Sequence, residues 1–191
     1  MIEIECPGKW ILAGEHAVLR GHPAVVYPLP GCFLKLRWFE GSESLQVKFL
    51  GSRGQDYELL FWGVLEKALQ QSSRNREQIR GVIEFESELP VGAGLGASAA
   101  LCVAVARLWL HQGWLKEDAL INFARTLEDL FHGESSGVDV AVSFFQRGLV
   151  FQRDRKMHWV DRQWTPRCYL TYCGQRGMTS ECVQQVKELF R

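Results

Sequence analysis

Leu89-Pro-Val-Gly-Ala-Gly-Leu-Gly-Ala-Ser-Ala-Ala100 is the stretch on which the reading of this chain turns. Gly92, Gly94 and Gly96 recur at alternate positions. They stand directly before Ala97 to about Gln112, a segment almost entirely small or apolar. That segment predicts a helix buried on most of its faces. The first N–H groups of a helix have no partner within it and lie at the positive end of its dipole. Glycines ahead of them let the backbone approach a phosphate with no Cβ in the way. Ser98 stands in the first predicted turn, where a hydroxyl reaches a phosphate oxygen or a metal ion. Taken alone, the stretch fits equally well a glycine turn before a core helix. A Walker A loop needs Gly-Lys-Ser/Thr, and there is no lysine here. Gly92-x-Gly94-x-x-Ala97 satisfies the loose dinucleotide fingerprint. Its preceding stretch, Glu84 to Pro90, is charged and ends in proline, which makes a poor buried parallel strand. The acidic pair about 20 positions on, Glu117-Asp118, falls at a helix start rather than a strand end.

Outward from this loop, the pattern is α+β: strands first, then helices, then strands again. Residues 2–6 alternate before Pro7-Gly8. Residues 33–39 put Leu34, Leu36 and Trp38 on one face and Lys35 and Arg37 on the other. Residues 45–50 alternate likewise, and the Gly41-containing link predicts an antiparallel hairpin between the two runs. Asp56 is placed as the cap of a helix to about Gln71, with Leu59, Leu60, Val64, Leu65, Ala68 and Leu69 at helical spacing. Residues 81–87 read as a strand of imperfect alternation. Residues 116–131 read as a helix with Leu120, Ile121, Ala124, Leu127 and Phe131 on one face. Residues 148–151, 157–160 and 168–173 read as strands, and Thr179 to Phe190 as an amphipathic helix.

Composition bounds the function. The chain has 191 residues, with 22 Lys plus Arg against 22 Asp plus Glu, so no global basic field exists to hold nucleic acid or an acidic membrane. Its apolar runs fall short of the roughly 18 residues a bilayer span needs. The start, Met1-Ile2-Glu3-Ile4-Glu5, is acidic and alternating, unlike a signal peptide. Cys6, Cys32, Cys102, Cys168, Cys173 and Cys182 form no CxxC pair and read as free thiols, which fits a cytoplasmic protein.

Two further segments carry polar chemistry. Glu128 to Asp139 contains His132-Gly-Glu-Ser-Ser-Gly-Val-Asp139, a polar loop between two apolar elements. Two carboxylates, Glu128 and Asp139, with the Ser98 hydroxyl, would suit Mg²⁺, which prefers oxygen ligands. Each taken singly reads more simply, Asp139 as a helix cap and Glu128 as a solvated helix charge. Pro7-Gly-Lys-Trp-Ile-Leu-Ala-Gly-Glu-His-Ala-Val18 places Lys9 before an apolar strand and Glu15-His16 after a glycine.

In order and wording the three segments resemble the GHMP family of small-molecule kinases, most closely its mevalonate kinase branch. Residues 7–18 match its Pro-Gly-Lys-x-x-Leu-x-Gly-Glu-His-Ala-Val motif, Pro90 to Ala99 its Pro-x-x-x-Gly-Leu-Gly-Ser-Ser-Ala motif, and His132 to Asp139 its His-Gly-x-Pro-Ser-Gly-x-Asp segment. The resemblance implies an N-terminal α+β domain like ribosomal protein S5 domain 2 over residues 1–166. Residues 167–191 would be only the first strand and helix of a ferredoxin-like C-terminal domain. It implies ATP and Mg²⁺ as cofactors. Pro90, Gly92, Ala93, Gly94, Leu95, Gly96, Ala97, Ser98 and Ala99 would wrap the ATP phosphates. Ser98 and Glu128 would hold Mg²⁺. Asp139 would be the catalytic base, and Lys9 would favour the alkoxide and the carboxylate. Lys9, Glu15, His16, Asp139 and Thr179 would face the substrate, mevalonate or a similar alcohol.

Three departures from the family pattern stand out. Ala97 replaces the first serine of the second motif. Ser135 replaces the usual proline before Ser136, which is expected to loosen that loop. The family's further Gly-rich motif is not in the sequence. The chain therefore reads as a fragment, or as a subunit that dimerises or pairs with a missing half through residues 168–191. Phosphomevalonate or sugar kinase activity is the alternative within the family. A nucleotide-binding subunit without turnover is the alternative outside catalysis.

Overall fold

The alternation of Ile2, Ile4 and Cys6 with Glu3 and Glu5 builds the first half of β1 (Ile2–Ala13), with Ile4 and Cys6 turned into the core. The structure is a computed structural model that describes residues 1–15, 17–132, 135–153, 155–161, 169–171 and 174, with His132 described by its backbone only. β2 (Ala24–Ser44) returns antiparallel to β1, from Ala13↔Val25 to Ile2↔Trp38. The register breaks between Pro7↔Phe33 and Lys9↔Pro28, at Gly8.

The other partners of β2 are β4 (Arg80–Ser87), antiparallel along Leu34–Ser44, and β5 (Leu149–Phe151), antiparallel to Ala24–Val26. β6 (His158–Trp159) pairs with β5. The expected hairpin between residues 33–39 and 45–50 is not formed. β3 (Gln46–Leu50) pairs in parallel with β4, from Gln46↔Val82 to Leu50↔Glu86. Only Leu45 separates β2 from β3, and a parallel pair needs a crossover, which α1 (Glu58–Gln71) supplies between β3 and β4. β4 has the stronger claim to the place beside β2. Gly81, Ile83, Phe85 and Ser87 all point inward and are buried, whereas Val47 and Phe49 of β3 are half-buried at the edge. The alternation in β4 was hard to read because its two end positions are glycine and serine.

The described helices cover the core face of the sheet. α2 (Ala97–His111) is buried almost throughout and packs on β1 and β2, with α1, α3 (Leu120–His132) and α4 (Val138–Phe145) around it. Arg107 of α2 ties the layers together, donating to the carbonyls of Glu5 on β1 at 3.3 Å and Phe144 on α4 at 2.9 Å. α1 begins at Glu58, after a 3₁₀ turn over Gly54–Tyr57 that contains Asp56, so Asp56 is not its cap. Phe61 rather than Leu59 faces the core from α1, and Leu59 is 87% exposed. Of the predicted strand 168–173 only residues 169–171 are described, and they form no strand, while the helix 179–190 and the domain boundary at 166/167 lie outside the described residues.

This mixed sheet sets aside the dinucleotide alternative. The glycine loop follows β4, a strand antiparallel to its neighbour β2, not the first strand of a parallel sheet.

Candidate functional site

The glycine loop leaves β4 anchored at both ends. At its start, the Tyr57 hydroxyl donates to the Leu89 carbonyl at 2.8 Å. The Ser87 hydroxyl donates to Tyr57 Oη at 3.0 Å and accepts the Leu89 N–H at 3.2 Å. All three are buried, and burial raises the Tyr57 phenol to about 12, so it remains a donor. At its far end, the Lys9 N–H donates to the Leu95 carbonyl at 2.9 Å. That N–H is available because the β1–β2 register breaks at Gly8. Gly8 has to be glycine, since a Cβ there would lie 2.8 Å from the same Leu95 oxygen and against the Leu89 side chain.

Between these anchors Gly92, Gly94 and Gly96 all adopt positive φ, at +77°, +72° and +74°. Gly96 is the residue before α2, and no side chain caps that helix. The first N–H groups of α2 are thus left to other partners. Ser98 lies in the first turn of α2, as the sequence predicted, and is half-buried. Pro90 and Ala99 are buried, Gly94 is exposed, and Gly92, Ala93 and Leu95 are partly exposed.

Lys9 is 4% exposed, and its ammonium lies 3.2 Å from Asp139 Oδ2. Asp139 occupies the first turn of α4, after Gly137 in left-handed conformation at φ +82°. The Lys9 stem lies against the glycine loop, where a Cβ on Gly96 would come within 2.6 Å of Lys9 Cγ. The loop, the lysine and the aspartate therefore form one constellation.

Glu128 completes it from α3. It is 1% exposed and shares the inward stripe of Leu120, Ala124 and Leu127. It is not the solvated helix charge of the simpler alternative. Its spacing from Leu120 and Ala124 was a legible signal for burial. Burial first, and then the nearby Asp139 charge, push its carboxyl up to about 8, against the pull of a Ser135 hydrogen bond and of Lys9. The Ser135 hydroxyl donates to Glu128 Oε2 and accepts the Gly137 N–H at 3.0 Å. The Ser135 N–H donates to Asp129 Oδ1 at 2.9 Å. A proline at this position has neither donor, so Ser135 ties the loop down, and the expectation that it loosens the loop is corrected. The sequence also missed Tyr57 and Ser87, which carry no motif and act only through the fold.

Glu15 lies in the exposed turn after β1. His16 and Thr179 lie outside the described residues. An open concavity of about 630 Å³ is lined by Val150, Gln152, Arg155, Lys156 and His158, and none of the predicted site residues lines it.

The donor set fits Mg²⁺ bound together with a nucleotide. The buried Glu128 carboxylate and the Ser98 hydroxyl are hard oxygen ligands, and Mg²⁺ is commonly held by one or two carboxylates plus substrate phosphates. Among the described residues no group of three or more His, Cys, Asp or Glu side chains could hold a metal on its own. The positive-φ glycines stand ahead of the uncapped start of α2, an arrangement of the kind that binds anions.

Comparison with known proteins bears on the family and the fold. Residues 60–147 match the GHMP kinases N terminal domain. The chain is 34% identical to a mevalonate kinase of Archaeoglobus fulgidus over 96% of its own length and 62% of that relative. The mevalonate kinase of Pyrococcus furiosus is 30% identical over 96% of the chain and 61% of that relative. The chain thus spans about three fifths of the length of the curated relatives it matches. The fold superposes on the crystal structure of Methanococcus jannaschii mevalonate kinase with a TM-score of 0.72 at 17% identity, covering 98% of this chain and 66% of the other. Among the described residues, no helix is long and apolar enough to cross a membrane. With its glycine loop on a mixed sheet and its motifs in family order, this chain belongs to the GHMP kinase family, whose N-terminal domain it carries.

Proposed function

We propose that this chain is the ATP- and acceptor-binding part of a kinase that phosphorylates the primary hydroxyl of mevalonate. The observation that carries the proposal is the Lys9–Asp139 pair at 3.2 Å, whose lysine is buried and bonded through its own N–H to the glycine loop. Phosphoryl transfer needs little covalent help from the protein. It needs positioning and neutralised charge. ATP with Mg²⁺ supplies the phosphoryl group and a cation to offset its charge.

The N–H groups of the Gly92 to Ala99 stretch bind phosphate oxygens, and the start of α2 adds its dipole. Ser98 and Glu128 hold Mg²⁺. Asp139 Oδ2 accepts the proton of the attacking hydroxyl, which must come within hydrogen-bond reach. The Lys9 ammonium, 3.2 Å from Asp139 Oδ2, offsets the negative charge that grows on the substrate oxygen. Glu15, His16 and Thr179 are assigned to the acceptor side.

Support for mevalonate comes from the archaeal relatives and from the fold. One solved structure of that fold, with a TM-score of 0.72 and 21% identity, is the L. major mevalonate kinase in complex with R-mevalonate. A second reading is nucleotide binding without turnover by this chain alone. The chain spans 62% of the length of its archaeal relative.

ADP release with ATP, Mg²⁺ and mevalonate tests both, comparing the chain with Asp139→Ala. Turnover that the variant loses supports the kinase. ATP binding by calorimetry without turnover supports the second reading. Absence of ATP binding overturns both. Turnover with phosphomevalonate or a sugar in place of mevalonate would redirect the substrate within the family.

A further inference from the structure

We propose that Ser135 is the positioning residue for the cation-binding carboxylate of Glu128, and that it links this carboxylate to the helix that carries Asp139. The inference rests on the nucleotide-binding reading above. A carboxylate as buried as Glu128 needs a hydrogen-bond partner to hold one orientation. Ser135 provides it. Its oxygen accepts the Gly137 N–H at 3.0 Å, and its hydroxyl donates to Glu128 Oε2. The serine is itself fixed, because its N–H donates to Asp129 Oδ1 at 2.9 Å, one residue beyond Glu128 on α3. Both ends of the Ser135 residue therefore grip the last turns of α3, while its oxygen grips the entry to α4.

Two consequences follow. One oxygen of Glu128 is occupied by Ser135, so the carboxylate presents a single, fixed oxygen to a cation. Furthermore, Gly137 and Asp139 are only a short way along the chain, so the same hydroxyl fixes where α4 starts relative to Glu128. A proline at 135 offers neither the N–H nor the hydroxyl.

The test is calorimetry of ATP binding to the full chain with Mg²⁺ and with EDTA, for the wild type and for Ser135→Ala, Ser135→Pro and Ser135→Thr. The Mg²⁺-dependent gain in ATP affinity should fall about tenfold in Ser135→Ala, in line with the loss of a group that orients a metal ligand. Affinity for metal-free ATP should change less than about twofold, since the glycine loop is untouched. Ser135→Thr should keep the gain, because it retains both donors. Ser135→Pro carries the same test should the alanine variant fold poorly. It should lose the gain as well. An undiminished Mg²⁺ effect in either Ser135→Ala or Ser135→Pro overturns this inference and leaves the nucleotide-binding reading intact. A wild-type chain that binds ATP without any Mg²⁺ effect also overturns it. A wild-type chain that binds no ATP removes both.

Discussion

The Tyr57 hydroxyl donates to the Leu89 carbonyl at 2.8 Å, joining the turn before α1 to the residue that opens the glycine loop. Tyr57 is fully buried, and its oxygen also accepts from Ser87. The loop therefore starts from a fixed point inside the core, although most of its own residues are partly exposed. Tyr57→Phe removes this point and leaves a buried carbonyl and a buried serine without their partner. It should cost about 1–3 kcal/mol of stability. It should also speed hydrogen exchange of the 88–96 amides beyond that of α2. A uniform change across the domain would show that the phenol stabilises the core without holding the loop.

The Lys9–Asp139 pair is asymmetric, with Lys9 more deeply buried than Asp139. Removing the acid strands a buried ammonium, whereas removing the lysine leaves a carboxylate with some access to water. Asp139→Ala should cost roughly 3 kcal/mol in urea unfolding. Lys9→Met, which keeps the apolar stem, should cost clearly less. The reverse order would place the burden of desolvation on the aspartate.

Two glycines should answer differently to alanine. At Gly8 a Cβ would sit 2.8 Å from the Leu95 carbonyl oxygen, which is backbone and cannot rotate away. Gly8→Ala should cost roughly 2 kcal/mol and weaken ATP binding by displacing the loop. At Gly94 a Cβ meets nothing within 4 Å, and the only penalty is its φ of +72°. Gly94→Ala should cost about 1 kcal/mol. Paired thermal melts and ATP titrations separate the two effects.

Glu128 makes stability depend on pH in a definite direction. Its carboxyl is raised from an ordinary 4.5 to about 8 in the folded protein. Across that interval the native state keeps a proton that the unfolded chain has lost, so stability is greatest below the unfolded value and falls as pH rises through the folded one. The slope approaches about 1.4 kcal/mol per pH unit at most. Glu128→Gln, which never ionises, should flatten the fall in melting temperature between about pH 5 and about pH 8. Parallel slopes for variant and wild type would assign the dependence to other groups.

Much of the site was legible because its residues sit in local order. Gly96 ends the loop and Ala97 starts α2, so Ser98 falls in a first turn whatever the rest of the chain does. Glu128, taken singly, read as a solvated helix charge, although its spacing to Leu120 and Ala124 marked the inward stripe on which it lies. What could not be read depends on contacts between distant segments. The pairing of β3 with β4 rather than β2 follows from competition for one edge, decided by the buried alternation of β4. Leu59 and Phe61 are both apolar at helical spacing, and only the position of the sheet selects between them. Ser135 looked like a weakened proline because its partners, Asp129 and Glu128, stand on α3 ahead of the motif that begins at His132.

The double engagement of Lys9 has a mechanical meaning. Its main chain is fastened to the carbonyl of Leu95 and its side-chain tip to Asp139. The gap between the glycine loop and Asp139 is thus spanned by one residue, a strut built of covalent bonds rather than of loop packing. A shift of the loop is passed directly to the acid, and a shift of the acid to the loop. The glycine loop and Asp139 keep their spacing as a single lever, hinged on the backbone of β1.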